Sequence, residues 1–149
     1  MEMDRAIKDI DSSIKYLKRL PEVNGNLVGM IGFCMGGGLT LESAIREADI
    51  AAGLCFYGET QTAEASLRKI AIPIFGAFGD EDHLISVESV GKMRNAFVSG
   101  NVDHEVRIYP GAGHSFFNEV KPEWYRPNQT KEAWSHIYTF LSRTLHRNG

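Results

Sequence analysis

The chain reads as an α/β domain of three layers, with helices on both faces of a mostly parallel sheet, and three observations carry that reading. Apolar runs of strand length alternate with amphipathic helical segments, and strands so continuously apolar belong to a sheet covered on both faces. One such run passes directly into a glycine cluster and then a helix, across residues 28–38. The residues with chemical potential fall in loops that follow strands, where a parallel sheet gathers its working groups.

Taken in order, residues 4–20 place Ile7, Ile10, Ile14, Leu17 and Leu20 at spacings of three and four, which predicts an amphipathic helix. Pro21 ends it, and Asn24-Gly25 supplies a turn. A first strand covers 27–33, and the helix after it covers 39–47. Residues 50–57 read as a buried strand, left through the polar loop Gly58-Glu59-Thr60. A short helical turn at 63–69 leads to a third strand at 72–78, with Pro73 near its start, where a missing donor is tolerated. Residues 79–83 form a loop, and Ser86 is a good N-cap for a helix over 87–98, closed by Gly100-Asn101. A fourth strand, 104–109, runs into the tight loop 110–114. Residues 119–128, with Pro122 and Pro127, are irregular. The final helix, 130–146, sets Ala133, Trp134, Ile137, Tyr138, Leu141 and Leu145 on one face.

Composition narrows the function classes. The 149 residues suit one domain, 1–149, and are 43% apolar and 23% charged, as in an ordinary globular protein. The net charge of −3, with no basic run, argues against a nucleic-acid surface. No apolar stretch approaches the length of a membrane span, and the N-terminus lacks the pattern of a signal peptide. The two cysteines, Cys34 and Cys55, have no metal-ligand neighbours at close spacing. A reducing, cytoplasmic setting without a metal or cofactor is the expectation.

The glycine cluster carries the chemistry. Gly32-Phe33-Cys34-Met35-Gly36 is G-x-C-x-G, the nucleophile-elbow pattern with sulfur in place of a serine oxygen. A nucleophile at the tip of a strand-to-helix turn sits in strained backbone, so its flanking residues should lack side chains. The following helix aims free N–H groups and its positive dipole end at the sulfur, which favours thiolate over thiol. The N–H of Met35 is then the expected oxyanion donor. A buried packing thiol is the plainer alternative for such a turn. The strand-end rule also selects Asp80 and Asp82 after the third strand and His114 after the fourth.

The pieces Gly32-Phe33-Cys34-Met35-Gly36-Gly37, Phe56-Tyr57-Gly58, residues 79–85 and residues 109–116 resemble the C-terminal portion of the dienelactone hydrolase family of α/β-hydrolases. The resemblance implies a partial, N-terminally truncated α/β-hydrolase fold and hydrolysis of a carboxylic ester or lactone through an acyl-cysteine. It makes Cys34 the nucleophile, Asp82 rather than Asp80 the acid, and His114 the base, in the chain order of that superfamily. Tyr57 is a candidate pocket residue. Asn118 stands where dienelactone hydrolases place an arginine for the substrate carboxylate, so neutral esters or lactones are favoured over carboxylated ones. The family's N-terminal strands, second oxyanion donor and acidic partner of the resting cysteine match no residue here. Residues 27–33, apolar and free of Pro or Lys, should then form an open sheet edge. A homo-oligomer, or pairing with a separate N-terminal fragment, is expected. The alternatives are a non-catalytic or partner-dependent remnant acting as a binding domain, and a redox-sensing thiol protein. Cys55 reads as packing, Asp80 and Glu81 as solvating loop charges, and His83 as a rim residue. His136 and His146 fall on the last helix, and Trp124 and Tyr125 read as a lid or a cover for the sheet end.

Overall fold

Four parallel strands run side by side in sequence order: β1 (Gly29–Phe33), β2 (Ala52–Phe56), β3 (Ile74–Gly79) and β4 (His104–Tyr109). The helices are α1 (Met3–Leu17), α2 (Met35–Ile45), α3 (Glu64–Leu67), α4 (Val87–Ser99) and α5 (Pro127–Leu145). The computed structural model describes residues 3–59 and 62–145, so Thr60 and His146 lie outside the described residues. None of the described helices is long and apolar enough to cross a membrane.

Side chains alternate across the two central strands and feed two cores. Cys55 of β2 and Ile74 and Phe78 of β3 face Leu41 of α2 and Val90 and Phe97 of α4. Leu54 and Phe56 of β2 and Phe75 and Ala77 of β3 face Ala133, Ile137 and Phe140 of α5. Helices therefore cover both faces, as the apolar runs predict, and every residue of β2 and β3 is buried. Pro73 sits just before β3, where its missing N–H costs no ladder bond. Ser86 caps α4 by accepting the Ser89 N–H at 3.1 Å.

Two helices start earlier than the sequence pattern suggests. α2 begins at Met35, so the three glycines lie inside its first turn and do not precede it. They are there for closeness: a Cβ on Gly37 would stand 2.8 Å from the Phe56 carbonyl oxygen, and one on Gly38 2.4 Å from that of Glu59. α5 begins at Pro127, since proline is accepted in a first helical turn where its N–H has no partner to lose. On α1, Ile7 and Ile14 are buried while Leu17 is exposed, so the buried stripe is shorter than the apolar one.

Among the described residues β1 has one neighbour, β2, paired in the register Phe33↔Phe56. Its other edge is open, with Ile31 45% exposed and Phe33 39% exposed, followed by Met35 at 62%. The strand nonetheless carries the elbow, because Gly32 lets α2 fold back onto it. A Cβ on Gly32 would lie 1.9 Å from the Gly36 carbonyl oxygen and 2.6 Å from Thr40 Oγ1. Gly36 itself corrects the expectation that both flanking glycines are sterically required: a Cβ there meets nothing within 4 Å.

Gly32→Ala should therefore cost about 3 kcal/mol of stability, the upper end for overpacking against backbone. Gly36→Ala should be neutral or stabilising by up to about 1 kcal/mol, as for glycine in a helix. Thermal melts of the two variants check this, and equal losses would contradict the packing described for Gly32.

Candidate active site

The C-terminal ends of β1, β3 and β4 bring three side chains into one hydrogen-bonded chain. Cys34 is the residue between β1 and α2, with φ 54° and ψ −117°, a conformation uncommon for any non-glycine residue. Its N–H donates to the Phe56 carbonyl at 2.9 Å, and its carbonyl accepts from Gly37 and Gly38 at 3.0 and 3.2 Å. The strained residue is thus pinned from both sides. Its thiol is exposed, and Sγ lies 3.1 Å from His114 Nε2.

His114 is held on its other nitrogen by Asp82: Nδ1 is 2.9 Å from Oδ2. Asp82 has a fully buried side chain, and its second oxygen, Oδ1, accepts from the N–H groups of Leu84 and Ile85 at 2.8 and 3.0 Å. One oxygen is anchored by backbone and the other is left to orient the imidazole. One ring nitrogen of His114 thus faces Asp82 and the other faces the sulfur.

The two loops that carry Asp82 and His114 are clamped to each other. A Cβ on Gly79 would fall 1.9 Å from the Ala112 carbonyl oxygen, so the chains touch there. Glu81 N–H donates to Ala112 O at 2.9 Å, and Gly111 N–H donates to Asp80 Oδ1 at 2.7 Å. Asp80 therefore ties the His114 loop to the end of β3, and its role goes beyond solvating the loop. Arg126 holds the same loop from the far side, donating from Nε to Gly111 O at 3.1 Å. His83 is exposed, as expected of a rim residue, and His136 Nδ1 bonds the Tyr109 hydroxyl at 3.0 Å, apart from the sulfur.

A cleft of about 410 Å³ opens beside Cys34. Both Tyr57 and Asn118 line it, together with residues that the sequence reading does not single out: Phe33, Ser115, Phe117, Glu119, Thr130 and Trp134. The signal for most of these was adjacency, since four of them follow or precede Cys34 and His114 within five positions. Trp134 could be placed only by the packing of α5. Asn118 Oδ1 accepts from the Val120 N–H at 3.2 Å, which fixes the side chain as part of a turn. Burial, and then the neighbouring Cys34, push the Tyr57 hydroxyl above the usual phenol range, so Tyr57 stays a donor at neutral pH. Its ring stands edge-on to His114 with centroids 5.1 Å apart. Cys34, Tyr57 and Ser115 all have positive φ and all line this cleft, so three of the five described non-glycine residues with positive φ lie here.

Met35 and Gly36 open α2, and no side chain caps that end. The first N–H groups of a helix have no intrahelical partner; here those of Gly37 and Gly38 bond the Cys34 carbonyl. The strand-to-helix turn at Cys34, the parallel sheet and the Cys–His–Asp series together fit an α/β-hydrolase type of fold, with four strands among the described residues.

The dienelactone hydrolase family matches residues 1–145, and the chain belongs to that family. It is 29% identical over 144 residues to protein usf of Aquifex pyrophilus, covering 96% of this chain and 62% of that one. It is likewise 29% identical over 140 residues to a carboxymethylenebutenolidase homolog of Xenopus tropicalis, covering 88% of this chain and 56% of that one. Among solved structures, a dienelactone hydrolase-like promiscuous phosphotriesterase from metagenomic libraries superposes with a TM-score of 0.84 at 25% identity, covering 95% of this chain and 63% of that one. The chain thus spans about three-fifths of the length of the relatives it matches.

The two thiols should differ sharply in reactivity. Cys55 is fully buried, and that burial pushes its thiol up to about 12, slightly offset by its contact with the Gly58 carbonyl. Between pH 7 and pH 10, whose upper end lies roughly 1.5 units above a free thiol, Cys55 should remain protonated and unlabelled by iodoacetamide in the folded protein. Cys34 should take the label throughout. Peptide mass mapping reads the site, and labelling of Cys55 ahead of Cys34 would contradict the placement of the two residues.

Proposed function

We propose that the chain carries the machinery of a carboxylic-ester or lactone hydrolase that works through an acyl-cysteine intermediate. The observation that supports this most directly is the bonded series Cys34 Sγ, His114 Nε2, His114 Nδ1 and Asp82 Oδ2, at 3.1 and 2.9 Å, set on a strained strand-to-helix turn. In this reading the sulfur attacks the carbonyl carbon, and its proton goes to His114 Nε2. Negative charge gathers on the carbonyl oxygen, where the Met35 N–H acts as donor. Collapse of that intermediate breaks the C–O bond, and the alkoxide leaves as the alcohol with the proton from His114. Water, deprotonated by His114, then attacks the thioester and releases the carboxylic acid and the free thiol. Asp82 holds the ring in the required tautomer and stabilises the imidazolium that forms twice per cycle.

Ester and lactone substrates fit this site better than amides, because an alkoxide leaves an acyl-thiol intermediate more readily than an amine nitrogen. An arginine at the Asn118 position is absent and the Asn118 oxygen is engaged in a turn, which supports uncharged over carboxylated substrates. Turnover of p-nitrophenyl acetate tests the reading. Cys34→Ala and His114→Ala should each lower it by roughly 10³-fold or more, while His83→Ala, at an exposed position away from the sulfur, should stay within a few-fold of the parent. Equal losses in all three variants would overturn the assignment of roles.

A partner-completed site is the second reading, and the open edge of β1 favours it. A strand edge that exposes Ile31 and Phe33 without charge or proline is a template for pairing. We propose that purified protein pairs a second copy along β1, bringing donors close to Cys34 that its own residues do not supply. Sedimentation at micromolar concentration should show a dimer or larger species, with specific activity rising as assembly proceeds. A monomer whose specific activity is independent of concentration would rule this out.

A further inference from the structure

We propose that the cleft beside Cys34 selects esters that carry a cationic ammonium group, an inference that rests on Cys34 being the acyl acceptor. Four aromatic side chains line it: Phe33 and Trp134, 39% and 37% exposed, with the half-buried Phe117 and the nearly buried Tyr57. They stand around one another, with Phe33 and Phe117 centroids 5.8 Å apart, Phe33 and Tyr57 6.1 Å, and Phe117 and Trp134 5.7 Å. The one carboxylate in the lining is Glu119, and no Lys or Arg lines the cleft among the described residues. Glu119 makes no ion pair with any described residue.

Ring faces carry negative electrostatic potential and attract an ammonium within about 6 Å of their centroids. A carboxylate at the same wall adds charge attraction for the same group and repels an anion. A neutral alkyl group gains the apolar contact alone. An onium group, with its charge spread over a methylated surface, gains the contact, the ring potential and the carboxylate together. The chemistry of the walls therefore separates three substrate charges: cations are favoured, neutral groups are accepted, and anions are disfavoured. Glu119 is exposed, so its share is screened by salt and the preference should shrink as ionic strength rises.

The test compares charge at constant shape. Choline butanoate is set against 3,3-dimethylbutyl butanoate for a cation in the alcohol. The p-nitrophenyl esters of 4-(trimethylammonio)butanoate and 5,5-dimethylhexanoate place it in the acyl group. In at least one pair the cationic ester should have a kcat/KM about tenfold higher, and Glu119→Gln should bring that ratio down toward one. Neutral esters used as well as, or better than, their cationic partners in both pairs would overturn the proposal. A readout without turnover separates this inference from the hydrolase reading: protection of Cys34 from iodoacetamide by choline against 3,3-dimethylbutan-1-ol. If no ester is hydrolysed, the hydrolase reading fails. Protection by choline alone would then still support the cation site, and equal or absent protection would remove it.

Discussion

The turn at Cys34 is the constraint on which the remaining structure depends. A non-glycine residue at φ 54° carries a backbone cost of order 1–3 kcal/mol, which must be met by the packing around it. That packing is specific. The Cys34 N–H reaches across to Phe56 of the neighbouring strand, Gly32 leaves room for the Gly36 carbonyl, and Gly37 and Gly38 let the helix start lie against residues 56–59. These contacts fix the backbone from which Sγ reaches His114 Nε2 at 3.1 Å.

Against that fixed sulfur, the other two groups are delivered by loops rather than by regular elements. Loops are ordinarily the less exact scaffold, so the bonds between them matter. The Asp80 carboxylate on Gly111, the Glu81 N–H on Ala112 and the touching backbones at Gly79 join the Asp82 and His114 loops into one unit. Asp82 is then oriented by two backbone N–H groups and His114 by Asp82, so the imidazole has one posture in which Nε2 meets Sγ. The tyrosine that follows β2 closes the set from the side, its ring against His114 and its hydroxyl held above the usual phenol range by the burial of the residue.

Much of this was legible in the sequence because each feature has a local cause. Strand and helix order follow from apolar periodicity, and β4 spans the residues its alternation predicts. The elbow follows from glycines at fixed offsets from Cys34, and the strand-end loops pointed to Asp80, Asp82 and His114, with the family resemblance choosing Asp82. The open edge of β1 followed from the resemblance to longer proteins, whose further strands match no residue here; its uncharged, proline-free composition marks only an edge without protection. What escaped depends on contacts between distant segments. Nothing local says that Asp80 will meet Gly111, that Trp134 of α5 will line the cleft, or that Gly36 will face open space. Helix starts differ for a related reason: the pattern sets the glycines and Pro127 ahead of the helices, yet tertiary closeness at α2 and first-turn tolerance at α5 put them inside.

The central claim is that Cys34 becomes acylated during turnover, and trapping the intermediate tests it most directly. Acid quenching within the first turnovers of p-nitrophenyl acetate, followed by peptide mass spectrometry, locates the acetyl group. The account predicts an acetyl thioester on the peptide that contains Cys34, absent when His114 is replaced by alanine. Turnover that leaves Cys34 unmodified, or acetyl found on Cys55 instead, would contradict it.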